Sequence, residues 1–424
     1  MVKQIEKRIT VPEFRSADYV ITDFGAVGDG TTDAVRAINT AIDSCAVDGG
    51  GRVVIPSGNF FCKGSVIMKS NVNLHFEDGA RLTFSGVLED FLPAVLTRWE
   101  GVEVFGHSPM VYGYGLHNIA ITGNGVIDGR GSYGIKQLKK EQDYEQHSLW
   151  DMGTDGVPVY ERVFGEGHIL RPAMVELMGC SRILLEDVEL TDCTFWSWHL
   201  IACTNATLRR VSVDSSNPNN DGVDPESSSD ILIEDCHFRT GDDGIAIKSG
   251  RDRDGWRLGS PTENVIVRNC TFDSPTNSIC IGSEVSGGVR NIFVEDCRII
   301  RGRHGIYLKS NRERGGFIYD VNVRNVKVDS VSMALVIIDA DYHSKTYSCT
   351  TPIRNVNISD VTAQYAGTYG IYLSGFDNRP LEDISIRNLR LGSTPEPVYL
   401  NKVSGLTLEN ININGAPVSA ASNF

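Results

Sequence analysis

The segment Ile231-Leu-Ile-Glu-Asp-Cys-His-Phe238 recurs with the same alternation at Val265-Ile-Val-Arg-Asn-Cys-Thr-Phe272 and at Ile292-Phe-Val-Glu-Asp-Cys-Arg-Ile299. In each copy, two apolar residues flank a variable one, two polar residues follow, and a cysteine comes two residues before the last apolar position. An alternation with period two that ends at Asn or Asp turns indicates short β-strands rather than helices.

Looser copies of this repeat extend the pattern to the end of the chain. They are found at Val321-Asn-Val-Arg-Asn-Val326, Val356-Asn-Ile-Ser-Asp-Val361, Ile384-Ser-Ile-Arg-Asn-Leu389 and Leu406-Thr-Leu-Glu-Asn-Ile411. From Ile183 onward the copies are separated by roughly 22 to 35 residues, which is typical of a solenoid. We therefore predict an all-β fold, a parallel β-helix that forms one domain over residues 1–424, with adjacent coils about 4.8 Å apart.

Two residue types inside the repeat have structural explanations. Asparagines occupy the predicted turns, where they tolerate the left-handed conformation and bond locally: Asn269, Asn325, Asn355 and Asn388. Cys236, Cys270 and Cys297 share one repeat position, so we expect them to stack in the core as small apolar side chains rather than to bind a metal.

Two regions depart from the repeat. Residues 16–60 form a predicted N-terminal cap, in which Asp33 is the expected N-cap of a short helix whose apolar face contains Val35, Ile38, Ala41, Ile42 and Cys45. Residues 129–172, called the overhang below, fill an unusually long interval between copies. They are rich in Gly, charged and aromatic residues, and we expect a long loop or small subdomain over one side of the cleft.

Composition limits the partners and the compartment. The net charge of -14 argues against nucleic-acid binding, which depends on Lys and Arg. No segment reaches the roughly 20 apolar residues of a membrane span, and Met1 to Ser16 lacks the apolar core of a signal peptide. Because the 10 cysteines are widely scattered, we expect reduced thiols and a cytoplasmic protein, or a secreted or periplasmic one if a leader precedes this sequence. The oligomeric state stays open.

The chemistry is concentrated in Asn219-Asn-Asp-Gly-Val-Asp-Pro-Glu226 and Thr240-Gly-Asp-Asp-Gly244. Asp221 and Asp242 are one short coil apart, so they should lie above one another on the same wall. These acids could be solvated turn residues. However, Asp242 and Asp243 precede an apolar strand, and carboxylates that crowd together there would separate into protonated and ionised groups. Glycoside hydrolysis requires such an acid and base.

These segments resemble the polygalacturonase family of glycoside hydrolases, which shares Asn-x-Asp, Gly-Asp-Asp, Gly-His-Gly and Arg-x-Lys motifs on a right-handed β-helix. The runs Glu161-Arg-Val-Phe-Gly-Glu-Gly-His168, Gly282-Ser-Glu-Val-Ser-Gly-Gly288 and Lys309-Ser-Asn-Arg-Glu-Arg-Gly-Gly316 are similar to its bacterial exo-acting branch. The resemblance implies that Asp242 is the general acid and that Asp221 and Asp243 activate water, with inversion at the anomeric carbon. It also implies that Lys309 binds a sugar carboxylate.

The sequence departs from the family at two motifs. Thr276-Asn-Ser278 replaces Gly-His-Gly, and Tyr307-Leu-Lys309 replaces Arg-x-Lys. The loss of an arginine fork removes bidentate recognition of a carboxylate. We therefore hypothesise that the sugar on the leaving side is not galacturonate, with rhamnose as the leading candidate.

Further side chains are candidates for contacts with a pectic oligosaccharide. The predicted binding set is Lys309, Asn219, Lys248, Tyr307, Arg312, Arg314 and Glu284. Lys248, Arg251, Arg312 and Arg314 should form a local basic patch, although each alone is more typical of a solvated surface. Trp196, Trp198 and His199 could contact a sugar or pack in the core, and His304 could replace the missing histidine.

Two rival functions stay open. A pectate lyase shares the fold but needs calcium and a basic residue, and Asp252-Arg-Asp-Gly255 is too short for a calcium loop. A non-catalytic carbohydrate-binding β-helix is conceivable because the motif His and Arg are missing. The preferred hypothesis is an exo-acting glycoside hydrolase that releases galacturonic acid from polygalacturonan or rhamnogalacturonan and uses neither metal nor cofactor.

Overall fold

The computed structural model describes residues 1–343 and 349–419. Almost all strands belong to one continuous parallel arrangement in which each strand pairs with its equivalent on the next coil. The coils form the predicted right-handed parallel β-helix, and three sheets run along its length.

The cleft sheet is the one that carries the aspartate segments. Its strands are Val66–Ile67, Val111–Tyr114, Val175–Met178, Trp198–Ile201, Val223–Glu226, Ile245–Ile247, Asn277–Ile281, the ends of Arg298–Lys309 and Ile318–Asp339, and then Tyr369–Ser374 and Glu396–Asn401.

The second sheet contains most copies of the sequence repeat. Its strands are Asp18–Val20, Gly51–Ile55, Val72–Phe76, His117–Gly123, Ser181–Glu186, Thr204–Arg209, Ser229–Glu234, Thr262–Arg268, Val289–Glu295, the first parts of Ile318–Asp339, Ile353–Ala366 and Leu381–Ser393, and then Val403–Ser404 and Thr407–Ile413.

The third sheet contains short strands that complete each coil. They are Asp29–Asp33, Gly58–Cys62, Ala80–Phe84, Val126–Asp128, Glu189–Thr191, Ser212–Asp214, His237–Arg239, Thr271–Asp273, the start of Arg298–Lys309 and the later parts of the long strands. Ala416–Val418 then pairs antiparallel with Thr407–Ile413, which ends the parallel ladder.

The register confirms the repeat and its core. Ile231 pairs with Val265, Val265 with Ile292, and Ile292 with Val321, so equivalent apolar positions stack in the interior. Cys236, Cys270 and Cys297 lie in the same buried core, as predicted. All ten cysteines are among the described residues and are free thiols.

The predicted turn asparagines adopt the left-handed conformation, with φ of 53° at Asn269 and 51° at Asn325. Each side-chain amide donates to a carboxylate on the preceding coil, as from Asn269 to Asp235 and from Asn325 to Asp296. These bonds connect successive turns on the outside of the solenoid.

In the part of the chain that the structure describes, four α-helices lie outside the coils: α1 (Val2–Glu6), α2 (Val35–Val47), α3 (Asp143–Asp155) and α4 (Asp252–Leu258). Helix α2 buries Ile38, Ala41, Ile42 and Cys45 against the first coils. Ala34 is the N-cap, one residue later than predicted, and Asp33 instead accepts bonds from the N–H groups of Val35 and Lys63. None of the helices in the described ranges is long and apolar enough to cross a membrane.

The overhang contains α3, the 3₁₀ turns Ile135–Lys140 and Val159–Glu161, and the strand Val163–Phe164. That strand pairs with Val102–Gly106, which forms a hairpin with Val95–Trp99. A third 3₁₀ turn, Leu88–Phe91, precedes this hairpin and a fourth, Ile21–Phe24, precedes α2. Helix α3 packs against α4, and a buried ion pair of 2.9 Å between Arg162 and Asp254 fixes the overhang there.

Candidate active site

The two aspartate segments meet because glycines allow adjacent coils to approach closely. A Cβ atom at Gly222 would lie 2.3 Å from the carbonyl oxygen of Gly244. The N–H of Gly222 donates to the carbonyl of Asp243 at 2.9 Å, and the N–H of Asp242 donates to the carbonyl of Asn220 at 3.3 Å. Asp221 is thereby placed on the coil beside Asp242 and Asp243, as the one-coil spacing predicts.

All three aspartates line one cavity of about 750 Å³. Its floor is the cleft sheet, and α3 and α4 form one side through His147, Trp150, Asp151, Thr154, Arg253 and Trp256. Asp221 and Asp243 are only 3% and 2% exposed, so their carboxyl groups face a largely desolvated space. Charges there interact more strongly than they would in water.

The carboxyl groups differ in their affinity for protons. Burial, followed by repulsion from Asp243, raises the pKa of Asp242 to about 6. Burial would also raise the pKa of Asp243, but the ammonium groups of Lys309 and Lys248 outweigh that effect and lower it. The pair therefore offers a proton donor directly beside an ionised carboxylate.

Hydrogen bonds hold this pair in place. The Lys309 ammonium donates to Oδ2 of Asp243 at 3.0 Å, and the Asn277 amide donates to Oδ1 at 2.5 Å. His304 lies behind Asn277 and donates from Nδ1 to its amide oxygen at 2.6 Å. His304 therefore reaches Asp243 only through Asn277, and burial lowers its pKa to about 4.

Asp221 belongs to a second group of charges. Its Oδ2 lies 3.4 Å from the Lys248 ammonium, which is equally close to Asp224. Burial, followed by repulsion from Asp224, raises the pKa of Asp221 well above its usual range. Burial raises the pKa of Asp224 to about 7. Lys248 opposes this shift without outweighing it, so a water-activating role would require Asp221 to lose a proton that its surroundings favour.

The expected basic patch is not basic, because its cations are paired with acids. Glu284 lies 2.9 Å from Arg251 and 3.6 Å from both Lys248 and Arg314. Despite its burial, these three cations lower the pKa of Glu284. The sequence hides this network, since its members are up to 66 residues apart in the chain.

The structure separates the predicted binding residues into two sets. Asn219, Lys248, Glu284, Lys309 and Arg314 line the cavity with the aspartates. Arg312 lies outside this lining, where it bonds to Asp341 at 2.5 Å and lies over the ring of Phe376.

Tyr307 also lies outside the residues that line the cavity. The residue is 5% exposed and belongs to an apolar cluster with Cys280, Ala334 and Ile337. Its ring lies between the ring of His304, 4.7 Å away, and that of Tyr342, 6.2 Å away.

The predicted candidates Trp196, Trp198 and His199 lie in three different environments. Trp196 lines the cavity, with the Lys248 ammonium 4.1 Å from its ring centre. Trp198 is buried in the main core. His199 is buried between Glu176 at 3.2 Å and Glu226 at 2.9 Å, and although burial opposes it, these glutamates raise its pKa to about 9.

Sequence reasoning missed several residues of the site. Trp150 and Tyr342 line the cavity, and Asp224 shares Lys248 with Asp221. Asp224 belongs to the same short acidic segment as Asp221, a signal that could have identified it. Trp150 and Tyr342 carry no such signal, because their positions depend on how the overhang and a distant turn fold back.

Comparison with known proteins assigns the family. The model of glycosyl hydrolases family 28 matches residues 45–407. An exopolygalacturonase structure from Thermotoga maritima is 34% identical, with a TM-score of 0.93 over 98% of this chain and 96% of that one.

Curated relatives include enzymes with both modes of action. An exo-poly-alpha-D-galacturonosidase of Dickeya chrysanthemi is 23% identical over 94% of this chain and 74% of its own length. An endo-polygalacturonase of Pectobacterium carotovorum is 25% identical over 85% and 84%. Because the family model matches most of its length, the chain belongs to glycosyl hydrolases family 28.

Proposed function

We propose that this glycoside hydrolase releases galacturonic acid from one end of pectic oligosaccharides with inversion at the anomeric carbon. The observation that carries the proposal is the Asp242–Asp243 pair, in which neighbouring carboxyl groups on a cavity wall have pKa values shifted in opposite directions. Asp242 donates a proton to the leaving oxygen, and Asp243 with Asp221 holds and deprotonates water.

A galacturonate carboxylate would bind at Lys309. Its ammonium already bonds to Asp243 and lies 5.3 Å from the ring centre of Tyr342. A substrate carboxylate at this position would share the ammonium with Asp243, which places the sugar against the catalytic pair.

Exo action is supported by the overhang. Helices α3 and α4 cover one side of the cavity with Trp150, Asp151 and Trp256 among the lining residues, so a long chain has little room to pass through. The relatives from Thermotoga maritima and Dickeya chrysanthemi also carry exo-acting names.

Product analysis tests this part of the proposal. Incubation with defined oligogalacturonides and rhamnogalacturonan oligomers should release galacturonate monomer from the first minutes, without intermediate oligomers. Proton NMR during the first turnovers should show the anomer opposite to that of the cleaved bond. Early production of mixed oligomers would contradict exo action, and release of the retained anomer would contradict inversion.

The leaving-side sugar is proposed to lack a carboxylate, with rhamnose as the leading candidate. Where the family has arginine, Tyr307 joins Cys280, Ala334 and Ile337 in an apolar cluster, with the Lys309 ammonium 5.5 Å from its ring centre. This cluster offers no cation, so a second carboxylate beside it would be desolvated without a partner.

A gain-of-function variant tests this specificity. Tyr307→Arg, alone and combined with Thr276→His, should raise kcat/KM on homogalacturonan relative to rhamnogalacturonan oligomers. Tyr372→Arg is the matched control, because Tyr372 occupies the same row of the cleft sheet two coils further on. Faster cleavage of homogalacturonan than of rhamnogalacturonan by the unaltered enzyme would contradict the proposal.

A further inference from the structure

Arg171, at the end of the overhang, is a fully buried cation whose partners are all neutral. Its Nε donates to Oε1 of Gln142 at 3.0 Å, and Nη1 donates to the carbonyls of Thr194 at 3.2 Å and Pro218 at 2.9 Å. Nη2 donates to Oδ1 of Asn219 at 2.6 Å. Across residues 1–343 and 349–419, no carboxylate oxygen lies within ion-pair distance of this guanidinium.

This arrangement differs from that of the other cations near the site. Lys248, Arg251, Lys309 and Arg314 each lie within 3.6 Å of a carboxylate oxygen. A buried charge without a counter-ion is costly. Burial accordingly lowers the pKa of Arg171 to about 10, which still leaves it charged at neutral pH.

The guanidinium fixes the orientation of Asn219. This residue has a left-handed φ of 57°, and its amide oxygen is occupied by Nη2 of Arg171. The amide nitrogen therefore points the other way, toward Oδ2 of Asp242 at 3.4 Å. The bond from Arg171 to the carbonyl of Pro218 anchors the same loop at the residue immediately before the Asn219–Asp221 motif.

The same side chain connects this loop to the overhang. Gln142 is fully buried and immediately precedes α3. The Arg171 guanidinium also lies 5.1 Å from the ring centre of Phe195, which stacks on the cavity-lining Trp196. One guanidinium thus contacts the element that closes the cavity and the loop that carries the aspartates.

The geometry points to Arg171 as a positioning residue, which holds the Asn219 amide against Asp242 and supplies an unneutralised positive charge beside the carboxyl cluster. The inference rests on the proposed acid role of Asp242. Other charged groups act on the same carboxyls. Asp242 faces Asp243, Lys248 and Lys309. Asp221 faces Asp224 and Lys248. Glu100, from the hairpin, also interacts electrostatically with Arg171.

Two substitutions separate the effect of the guanidinium hydrogen bonds from the effect of the positive charge. Arg171→Lys keeps the positive charge but loses the branched set of guanidinium hydrogen bonds. We expect kcat to fall about 10-fold or more, while the two apparent pKa values of the kcat–pH profile stay unchanged. Arg171→Met loses both the hydrogen bonds and the charge, so kcat should fall further. Both apparent pKa values of the kcat–pH profile should also rise by roughly half a pH unit, because carboxylates without a nearby cation bind protons more tightly. KM should change little in both variants.

Arg162→Met is the matched control, since Arg162 is an equally buried arginine of the overhang that pairs with Asp254 instead. It should lower the melting temperature without shifting the apparent pKa values of the kcat–pH profile. If Arg171→Met does not fold, Gln142→Leu provides the second test. That variant keeps the charge and breaks the tether, so it should lower kcat at unchanged apparent pKa values.

The inference is overturned if the kcat–pH profile of Arg171→Met has the same apparent pKa values as that of the unaltered enzyme. It is overturned as well if Arg162→Met shifts those pKa values as much as Arg171→Met does. It is also overturned if Arg171→Lys and, where needed, Gln142→Leu retain full kcat. An Asp242→Asn variant is measured in parallel. Full activity in that variant would refute the proposed chemistry itself, an outcome that differs from each of those that concern Arg171.

Discussion

At the scale of single residues, Asp242 is the group on which the proposed reaction depends most directly. Asp242→Asn preserves the shape of the side chain and its bond from the N–H of Asp243 but cannot release a proton to the leaving oxygen. We expect kcat to fall by roughly 10²- to 10⁴-fold, as for other losses of general acid catalysis. Reducing-sugar release from oligogalacturonides measures the effect.

The matched control is Asp377→Asn, which alters an exposed acid paired with Lys402 far along the solenoid. It should leave kcat within error of the unaltered enzyme. Comparable losses in both variants, or unchanged turnover in Asp242→Asn, would show that Asp242 is not the acid.

The three aspartates set the pH dependence. Asp242 must be protonated to act, so activity should fall as pH rises through its pKa of about 6. Asp243 has a pKa below the usual carboxyl range and stays ionised in mild acid. Asp221 must be ionised as well, and its pKa is raised, so activity should fall on the acid side as pH drops through the pKa of Asp221. The kcat profile should therefore be bell-shaped with an acidic optimum, and a profile flat from pH 6 to pH 9 would contradict the assignment.

The sequence places Asp221, Asp242 and Asp243 correctly because their spacing matches one coil. The sequence does not indicate that Arg312, only three residues beyond Lys309, bonds to Asp341. Periodicity specifies the coil to which a residue belongs, whereas the direction of a turn side chain depends on partners from distant coils.

At the scale of elements, helix α2 protects the first coils from solvent. Ile42 is fully buried on its inner face, so Ile42→Ala leaves a cavity and should lower the free energy of unfolding by roughly 2 to 5 kcal/mol. Urea denaturation followed by circular dichroism measures the loss. Arg36→Ala, on the exposed face of the same helix, should change stability by less than about 0.5 kcal/mol. Equal losses in the two variants would refute the capping role.

The repeat predicts the strands well because alternation and turn residues are local signals. Helix α3 is not foreseen, since its buried residues are Gln146, Leu149 and Gly153, which form no apolar stripe. Its position is determined by contacts with α4 and the hairpin, and these become adjacent only after the coils have stacked. The overhang could be located from its length and composition, but its secondary structure could not.

At the scale of the whole molecule, the N-terminal segment crosses to the middle of the solenoid. Ile5 of α1 is fully buried against Leu232 and Ile266, and Arg8 pairs with Asp230 at 2.5 Å. This segment lies on the second sheet, on the coils that also contain the aspartate segments.

Ile5→Asp should release this segment, because a carboxylate cannot remain unpaired in an apolar contact. The expected results are a loss of roughly 1 kcal/mol or more of stability and faster amide exchange in Ser229–Glu234. Lys3→Ala alters an exposed residue of the same helix and is the control. Unchanged exchange in Ile5→Asp would mean that the segment does not support these coils.

The ladder of equivalent strands also has an evolutionary consequence. Thr276 and Tyr307 belong to coils that come after the one carrying Asp242 and Asp243, so mutations at these positions leave the coil with the two aspartates unchanged. A solenoid of this kind can therefore evolve one coil at a time, and substitutions on one coil need not disturb the coil that carries the proposed catalytic aspartates.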